Sequence, residues 1–434
     1  MAAVPLAFVG QGPQPAEAAP ISRVRLGSPI LTESVLLDLL PISGKPADTL
    51  RTIQAEIEKA TILRTLYRRA NATSAGGVVE QLQIPPPVWD RVLSVAEESL
   101  QLLDDNRALL SPVFREVDTA ETQIRRAERG EEKLAETKAA LQRMAAGSTA
   151  KKPSAVLDAQ EDALRALGGI GELLVAEFPF PVTADEQYDS IPRLLGRANV
   201  DLVMRRDPAD PSKGKPKLLG NISLVVDGFS APVTAGNFMD LCLRGFYNEL
   251  PIKFDVVPEE VTGGQSSNET LSTVVAGSYR DGFVDPTSGT LRRLPLEILR
   301  TEPRKGNAPV YGAARNTRVF TKSQPVQSFR IPGAVAMNHP PLDGNGASSE
   351  FFWLQDQNLE AEGYVMNAAA EELDGRYAIF AHVMGNRRLL GRLKPGDVIE
   401  RVIVSYGVDN LIKTKAATFA DLLLSGGGED DSED

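Results

Sequence analysis

The stretch VVDGFSAPVTAGNFMDLCLRGFYN, residues 225–248, changes from strand-like to helix-like within a few residues. Its apolar start has the composition of a strand, and Pro232 ends that strand because proline has no backbone N–H for a sheet ladder. Thr234 is a candidate helix cap, and three apolar residues then recur at helical spacing: Phe238, Leu241 and Cys242. The stretch therefore predicts a strand, a turn and a helix over 233–245.

The composition describes an acidic globular chain of 434 residues, long enough for two domains. The net charge of −11 argues against nucleic acid as a partner, because binding phosphates needs a basic surface. One cysteine, Cys242, excludes an internal disulfide and a cysteine-based metal site. With two histidines, His339 and His382, we expect structural roles for both and neither a metal nor a cofactor. No run reaches the ~18 apolar residues of a transmembrane segment.

The N-terminus, MAAVPLAFVGQGPQPAEAAP, allows two interpretations. Ala16-Glu17-Ala18 has the A-x-A form of a signal-peptidase cleavage site, although a basic region before the apolar segment is missing. The alternative is a disordered arm rich in Ala and Pro. We assign residues 1–28 to an arm with a possible processing remnant.

Residues 29–177 have a helical period and predict an antiparallel helical bundle of four main helices. Ser111-Pro112 has the form of a helix start, with a cap followed by proline at the first helical position. GSTAKKPS (147–154) is typical of a linker between two helices. The charged faces of these helices favour solvated surface over a docking face, and we expect no catalysis here.

A Pro-rich linker, 178–196, is followed by sequence in which apolar residues recur at every second position, as in strands. We expect strands in ANVDLVMRR and NISLVVDGF and at 255–262, 332–337, 350–355, 376–383 and 398–405. Many short strands with two helices predict a closed antiparallel β-barrel over residues 197–413. Residues 414–434 are predicted to be a C-terminal helix and a solvated acidic tail.

Four phrases resemble the cyclophilin family in their order along the chain. The first is the AP-x-T-x-x-NF phrase at 231–238, and the others are GAVAMNH (333–339), NGASSEFFWL (345–354) and LDGRYAIFAHV (373–383). With a helical bundle in front, the chain resembles the multidomain cyclophilins of the chloroplast thylakoid lumen. That resemblance implies a peptidyl-prolyl cis-trans isomerase fold and a chaperone role in photosystem II assembly and maintenance. It favours the processing-site interpretation of residues 16–18.

The family catalyses prolyl isomerisation with an arginine in the strand that corresponds here to IKFDVVPEEVTGG, residues 252–264. An alignment on the glycine pair puts Phe254 at the arginine position and Thr262 at a glutamine position. An alignment on the phenylalanines puts Val256 at the arginine position instead. The adjacent cation, Lys253, is expected on the strand face opposite Phe254, and an ammonium does not replace a planar guanidinium.

The resemblance implies substrate-binding roles for a further set of residues: Met337, His339, Glu350, Phe352, Leu373 and Tyr377. For Met337, Phe352 and Leu373, plain barrel core is an open alternative. We therefore expect a protein that binds prolyl-containing lumenal segments of photosystem II subunits with weak or absent isomerase activity.

Two alternatives stay open. The first is an active isomerase with a displaced arginine from the set Arg280, Arg292, Arg293, Arg304, Arg315, Arg318 and Arg330. The second is a regulatory scaffold in which the bundle docks a partner such as a membrane phosphatase.

Overall fold

A computed structural model describes the parts of the chain analysed below. The described residues are 31–74, 84–114, 118–180, 188, 190–209, 212, 214–257, 271–278, 282–286, 288–301, 308–312, 323–341, 343–355, 368–385 and 387–412, with the backbone alone for 68–74 and 368–369. Several predicted features lie outside these residues: the arm with Ala16-Glu17-Ala18, Thr262, and the C-terminal helix and acidic tail at 414–434.

The chain divides into two compact units that interrupt each other in sequence. Within the described residues, one unit holds 41–60 and 89–177. The other holds 31–40, the described parts of 61–88, and those of 178–412. The domain boundaries expected at 29, 177, 197 and 413 stay predictions.

The α-helices in chain order are α1 (Val35–Asp38), α2 (Gly44–Glu58), α3 (Thr61–Ser74), α4 (Pro86–Asp105), α5 (Ala120–Thr149), α6 (Pro153–Leu173) and α7 (Pro232–Leu243). The strands are β1 (Arg193–Leu194), β2 (Arg197–Arg206), β3 (Lys217–Asp227), β4 (Leu250–Pro251), β5 (Lys253–Val256), β6 (Ser272–Ala276), β7 (Glu297–Ile298), β8 (Val310–Tyr311), β9 (Ala334–Met337), β10 (Phe351–Leu354), β11 (Ile379–Val383), β12 (Val398–Tyr406) and β13 (Leu411–Ile412).

The helical unit packs α5 along α6 and α2 against α6. Buried polar side chains tie the helices together, because each donates to a main-chain carbonyl of a neighbouring helix. Gln160 Nε2 on α6 donates to Ile57 O on α2 at 2.8 Å, and Ser148 Oγ on α5 donates to Trp89 O on α4 at 2.6 Å. These bonds set how the helices align.

Two predictions about helix ends were wrong. The helix expected after Ser111-Pro112 begins at Ala120, where Thr119 Oγ1 accepts the N–H of Thr122 at 3.2 Å and caps it. The linker expected at 147–154 is shorter, because α5 continues to Thr149 and α6 begins at Pro153. The alanines that precede Gly147 favour a helix, and this preference outweighs the tendency of Gly147-Ser148 to end it.

The second unit is a nearly closed antiparallel barrel of nine strands in the order β4-β12-β2-β3-β11-β9-β10-β6-β5. β1 pairs with β13 and β7 pairs with β8 as separate ribbons. The strand expected at 255–262 begins earlier, at Lys253, and ends at Val256 within the described residues. Short 3₁₀ helices at Ala368–Leu373 and Arg387–Arg392 accompany α7. The fold class predicted from the sequence is confirmed.

The barrel interior is an aromatic core around α7. Phe238 on α7 lies 5.2 Å from Phe351 and 4.9 Å from Phe380, as distances between ring centroids. The cap of α7 differs from the expected Thr234. The carboxylate of Glu297 is buried and accepts the backbone N–H groups of Val233 and Thr234 at 3.2 and 2.8 Å. A negative charge at a helix N-terminus is favourable, so a residue 63 positions away caps this helix.

Residues 31–40 are a buried segment of the barrel unit. Arg387 donates to both oxygens of Glu33 at 2.7 and 3.3 Å, and both side chains are buried. Arg197 Nη1 donates to Leu36 O at 2.6 Å while its Nε donates to Asp227 at 3.0 Å. A buried charge needs such partners, so this segment is part of the barrel's structure.

Among the described helices, none has the length and hydropathy of a membrane-spanning segment. Cys242 is buried in the barrel, and burial raises the pKa of its thiol well above the usual value. That environment disfavours a reactive thiolate.

Candidate functional site

One face of the barrel sheet carries a row of side chains across five strands. Lys253 on β5 pairs with Val275 on β6, and Val275 pairs with Phe352 on β10. Phe352 pairs with Ala336 on β9, which in turn pairs with Ile379 on β11. Directly paired residues share a face of a sheet. Lys253 and Phe352 therefore lie on the same face, with Val275 between them.

The adjacent residues of these strands point to the barrel interior. Phe254 pairs with Val274 and packs against the interior core, and Phe351 pairs with Met337 in that core. The structure thus places Phe254 and Met337 on the face opposite Phe352. Leu373 is fully buried beneath the outer face, in the same apolar cluster as Phe352.

A cavity of about 160 Å³ opens on the Phe352 face. Its described lining residues are Asp255, Val256, Val257, Thr273, Val275, Asn338, His339, Pro341, Phe352 and Tyr377. Pockets for drug-sized ligands are usually ~300–1,000 Å³, so this one suits a single small side chain. Of the predicted site residues, the structure brings Val256, His339, Phe352 and Tyr377 together in this lining.

Two aromatic rings, Phe352 and Tyr377, form the floor of the cavity, and a third, Phe329, packs on Phe352. Phe329 stacks on Phe352 with centroids 5.7 Å apart, and Tyr377 meets Phe352 edge-on at 4.9 Å. Phe352 is left 3% exposed. Burial raises the pKa of Tyr377 to about 12, so its phenol stays protonated at neutral pH. A bound ring would meet the exposed edge of this packed floor.

His339 is held by two main-chain carbonyls. Its Nδ1 lies 2.8 Å from Pro340 O and its Nε2 lies 2.9 Å from Arg376 O, while the ring stacks on Tyr377 at 4.5 Å. Both nitrogens are therefore engaged within the protein. This arrangement fits a structural role and leaves no free nitrogen to act as a base.

Glu350 lies next to the cavity in a polar cluster. Lys253 Nζ is 3.0 Å from Glu350 Oε2, and Asn338 Nδ2 donates to Glu350 Oε1 at 2.5 Å. Ser278 also donates to this carboxylate. The ammonium of Lys253, which lies on the same face as Phe352, is thus paired with a carboxylate of the same chain.

The described members of the displaced-arginine set lie away from the cavity lining. Arg292 is buried between Asp240 and Asp285, each at 2.7 Å. Arg330 is 3.3 Å from Glu371, and Arg293 is exposed at 4.0 Å from Asp343. Arg280, Arg304, Arg315 and Arg318 lie outside the described residues.

Sequence reasoning missed Asp255, Thr273 and Asn338 in the lining, and Phe329 packed on Phe352. The alternation along KFDV contained the signal for Asp255, because residues two apart share a strand face. The alternation did not show which of the two strand faces lies on the outside of the barrel. Phe329 comes from a loop with no period, so no local pattern indicated it.

The nine-stranded barrel, its buried helix and the outer groove lie in the part of the chain that resembles the cyclophilin family. Residues 214–408 match the family model for cyclophilin type peptidyl-prolyl cis-trans isomerases. The chain is 34% identical over 283 residues to the chloroplast peptidyl-prolyl cis-trans isomerase CYP38 of Arabidopsis thaliana. It is 32% identical over 268 residues to a protein of Synechocystis sp. whose name places it among thylakoid lumen peptidyl-prolyl cis-trans isomerases.

These matches cover 65% and 61% of this chain and 59% and 61% of the two relatives. The chain thus spans about three fifths of the relatives' length. A third relative, chloroplast CYP37 of Arabidopsis thaliana, is 28% identical over 234 residues, which is 52% of this chain and 43% of that protein. The resemblance to multidomain thylakoid-lumen cyclophilins and the thylakoid-lumen localisation are confirmed.

Proposed function

We propose that the barrel binds prolyl segments of lumenal proteins in the cavity beside Phe352, with weak or absent isomerase activity. The observation that carries the proposal is the cavity itself, which combines an aromatic floor with a lining free of Arg and Lys among the described residues. An apolar floor of this size suits a pyrrolidine ring.

The expectation of weak turnover follows from what isomerisation requires. The amide must rotate over a barrier of ~18–20 kcal/mol, and a catalyst stabilises the twisted state with preorganised donors. Lys253 is the cation of the groove face, but its ammonium is paired with Glu350. The cavity can hold a proline ring, and its described lining offers no guanidinium to the twisted amide.

We further propose that the clients are lumenal segments of photosystem II subunits, bound during assembly and maintenance. The thylakoid-lumen resemblance of the chain supports this setting. A client in this compartment presents prolines on exposed loops, where X-Pro bonds populate both isomers.

The test is peptide binding by the full chain carrying Phe352→Leu, measured by calorimetry with Pro-containing peptides from lumenal loops of photosystem II. Leucine keeps an apolar floor but removes the flat ring edge, so we expect affinity to fall at least several-fold. Phe351→Leu is the matched control, because Phe351 is the neighbouring residue of β10 and faces the interior core. We expect Phe351→Leu to lower the stability of the barrel by a similar amount and to keep the affinity for the peptides.

The scaffold alternative predicts a different result. Partner capture would then be unchanged by Phe352→Leu and lost when α5 and α6 are altered on their exposed faces. That outcome, with both Leu variants folded by circular dichroism, would refute binding through the groove.

A further inference from the structure

We infer that the groove selects prolyl segments with a basic side chain next to the proline, and that Asp255 is the residue that selects them. This inference rests on the proposed binding of prolyl segments in the cavity. It adds the chemical class of the segment.

The position of Asp255 follows from the strand register. Asp255 pairs with Thr273, and Lys253 two residues earlier pairs with Val275. Both pairs therefore lie on the outer face, the face of Phe352. Asp255 and Thr273 line the same cavity of about 160 Å³ as Phe352. A carboxylate thus lies on the wall of the cavity proposed to take the proline ring.

The charge of Asp255 is not neutralised by another side chain among the described residues. Its Oδ1 accepts the backbone N–H of Val256 at 2.8 Å, and no cation of the described chain lies within ion-pair distance. Lys253, the neighbouring cation on the same face, is instead paired with Glu350. The two charges of that pair cancel, and the charge of Asp255 remains.

The other polar side chains of the described lining are Thr273, Asn338, His339 and Tyr377. His339 has both ring nitrogens at hydrogen-bond distance from carbonyl oxygens, and Tyr377 is a phenol with a raised pKa. Asn338 is neutral and donates to Glu350. Asp255 is the one acidic side chain of the described lining.

A carboxylate beside an apolar floor favours a segment in which a basic side chain lies next to the proline. A lysine or arginine adjacent to the proline can lay its methylene stem along Val256 and Val257 and bring its cation to Asp255. An acidic residue at that place would meet a like charge. Complementary charge contributes specificity more than affinity, so we expect a preference of modest size.

The experiment uses the full chain and three peptides that differ in the residue before the proline: Lys, Gln or Glu. A second set places the same residues after the proline. Partly exposed ion pairs contribute little to the binding free energy. We therefore expect the Lys peptide to bind about two- to fivefold tighter than the Gln peptide in at least one set, and the Glu peptide to bind weakest.

Two substitutions assign the preference to one residue. Asp255→Asn should bring the Lys/Gln affinity ratio to about one, and Asp255→Lys should reverse the order of the Lys and Glu peptides. Asp409→Asn is the matched control: it removes an exposed carboxylate outside the cavity lining and should leave the ratio as it is. Raising the salt concentration should shrink the wild-type ratio.

The outcomes separate this inference from the proposed function. If the Gln peptide binds but Lys gives no advantage, or if the advantage survives Asp255→Asn, the inference is overturned and the proposed binding stands. If no peptide of either set binds, the proposed function fails and the inference fails with it.

Discussion

His382 is a histidine enclosed by the barrel. It lies on β11 with 1% of its surface exposed, among the charges of Asp227 and Arg197. Burial is the main cause that lowers its pKa from 6.5 to about 4, and Arg197 acts in the same direction while Asp227 opposes it. The folded barrel therefore keeps this imidazole neutral where an unfolded chain would protonate it.

This depressed pKa predicts a pH-dependent stability. Between pH 6.5 and about 4 the unfolded chain binds a proton at His382 that the folded chain does not, so stability falls as the pH falls. A shift of this size corresponds to ~3 kcal/mol. Urea unfolding of the barrel, followed by Trp353 fluorescence in a Trp89→Phe background, should show this loss. His382→Leu should flatten it, and an unchanged slope in that variant would contradict the assignment.

Strand β5 shows how a short element decides what the groove can do. Its four residues place Lys253 and Asp255 outside and direct Phe254 inward. The sequence alone established this alternation but not the outer face, because the facing strands β6 and β10 set it through their register. Conversely, the helix α7 was predicted to within two residues, since both its proline start and its apolar spacing are local signals.

The absence of an arginine on this strand predicts slow catalysis. Removing one preorganised donor typically lowers kcat ~10²–10³-fold. In a protease-coupled assay with a proline tetrapeptide, we expect the full chain to turn over slower than a single-domain cyclophilin by about that factor. Ordinary cyclophilin rates would instead support a displaced arginine among Arg280, Arg304, Arg315 and Arg318, which lie outside the described residues.

At the scale of the whole molecule, the barrel unit includes a segment from the other end of the chain. Glu33 and Arg387 form a buried, doubly hydrogen-bonded pair, and Leu36 O accepts from Arg197. No sequence pattern predicted this, because residues 31–40 carry the same apolar composition as the bundle that follows. Periodicity reports which residues are buried, but it does not report against which part of the chain they are buried.

This pair predicts a non-additive mutational response. Glu33→Ala removes the carboxylate that accepts both hydrogen bonds from the buried Arg387 and should destabilise the barrel by ~3–5 kcal/mol. The double variant Glu33→Met with Arg387→Met restores an apolar contact and should be more stable than Glu33→Ala. Urea unfolding reported by Trp353 measures both. With the single variants Glu33→Met and Arg387→Met measured as well, additive losses would show that the pair is not coupled.

The same pair has a consequence for how the barrel is completed. Its two members are 354 residues apart, and the helical unit lies between them in the sequence. A chain that emerges from its N-terminus exposes residues 31–40 long before Arg387 exists to meet Glu33. The entropy cost of closing a loop grows only slowly with its length. The pair therefore forms late because Arg387 is synthesised late, and not because the loop between the two residues is long. Until then the apolar residues of this segment stay available to other proteins, so the barrel is itself open to wrong contacts until Arg387 has been made.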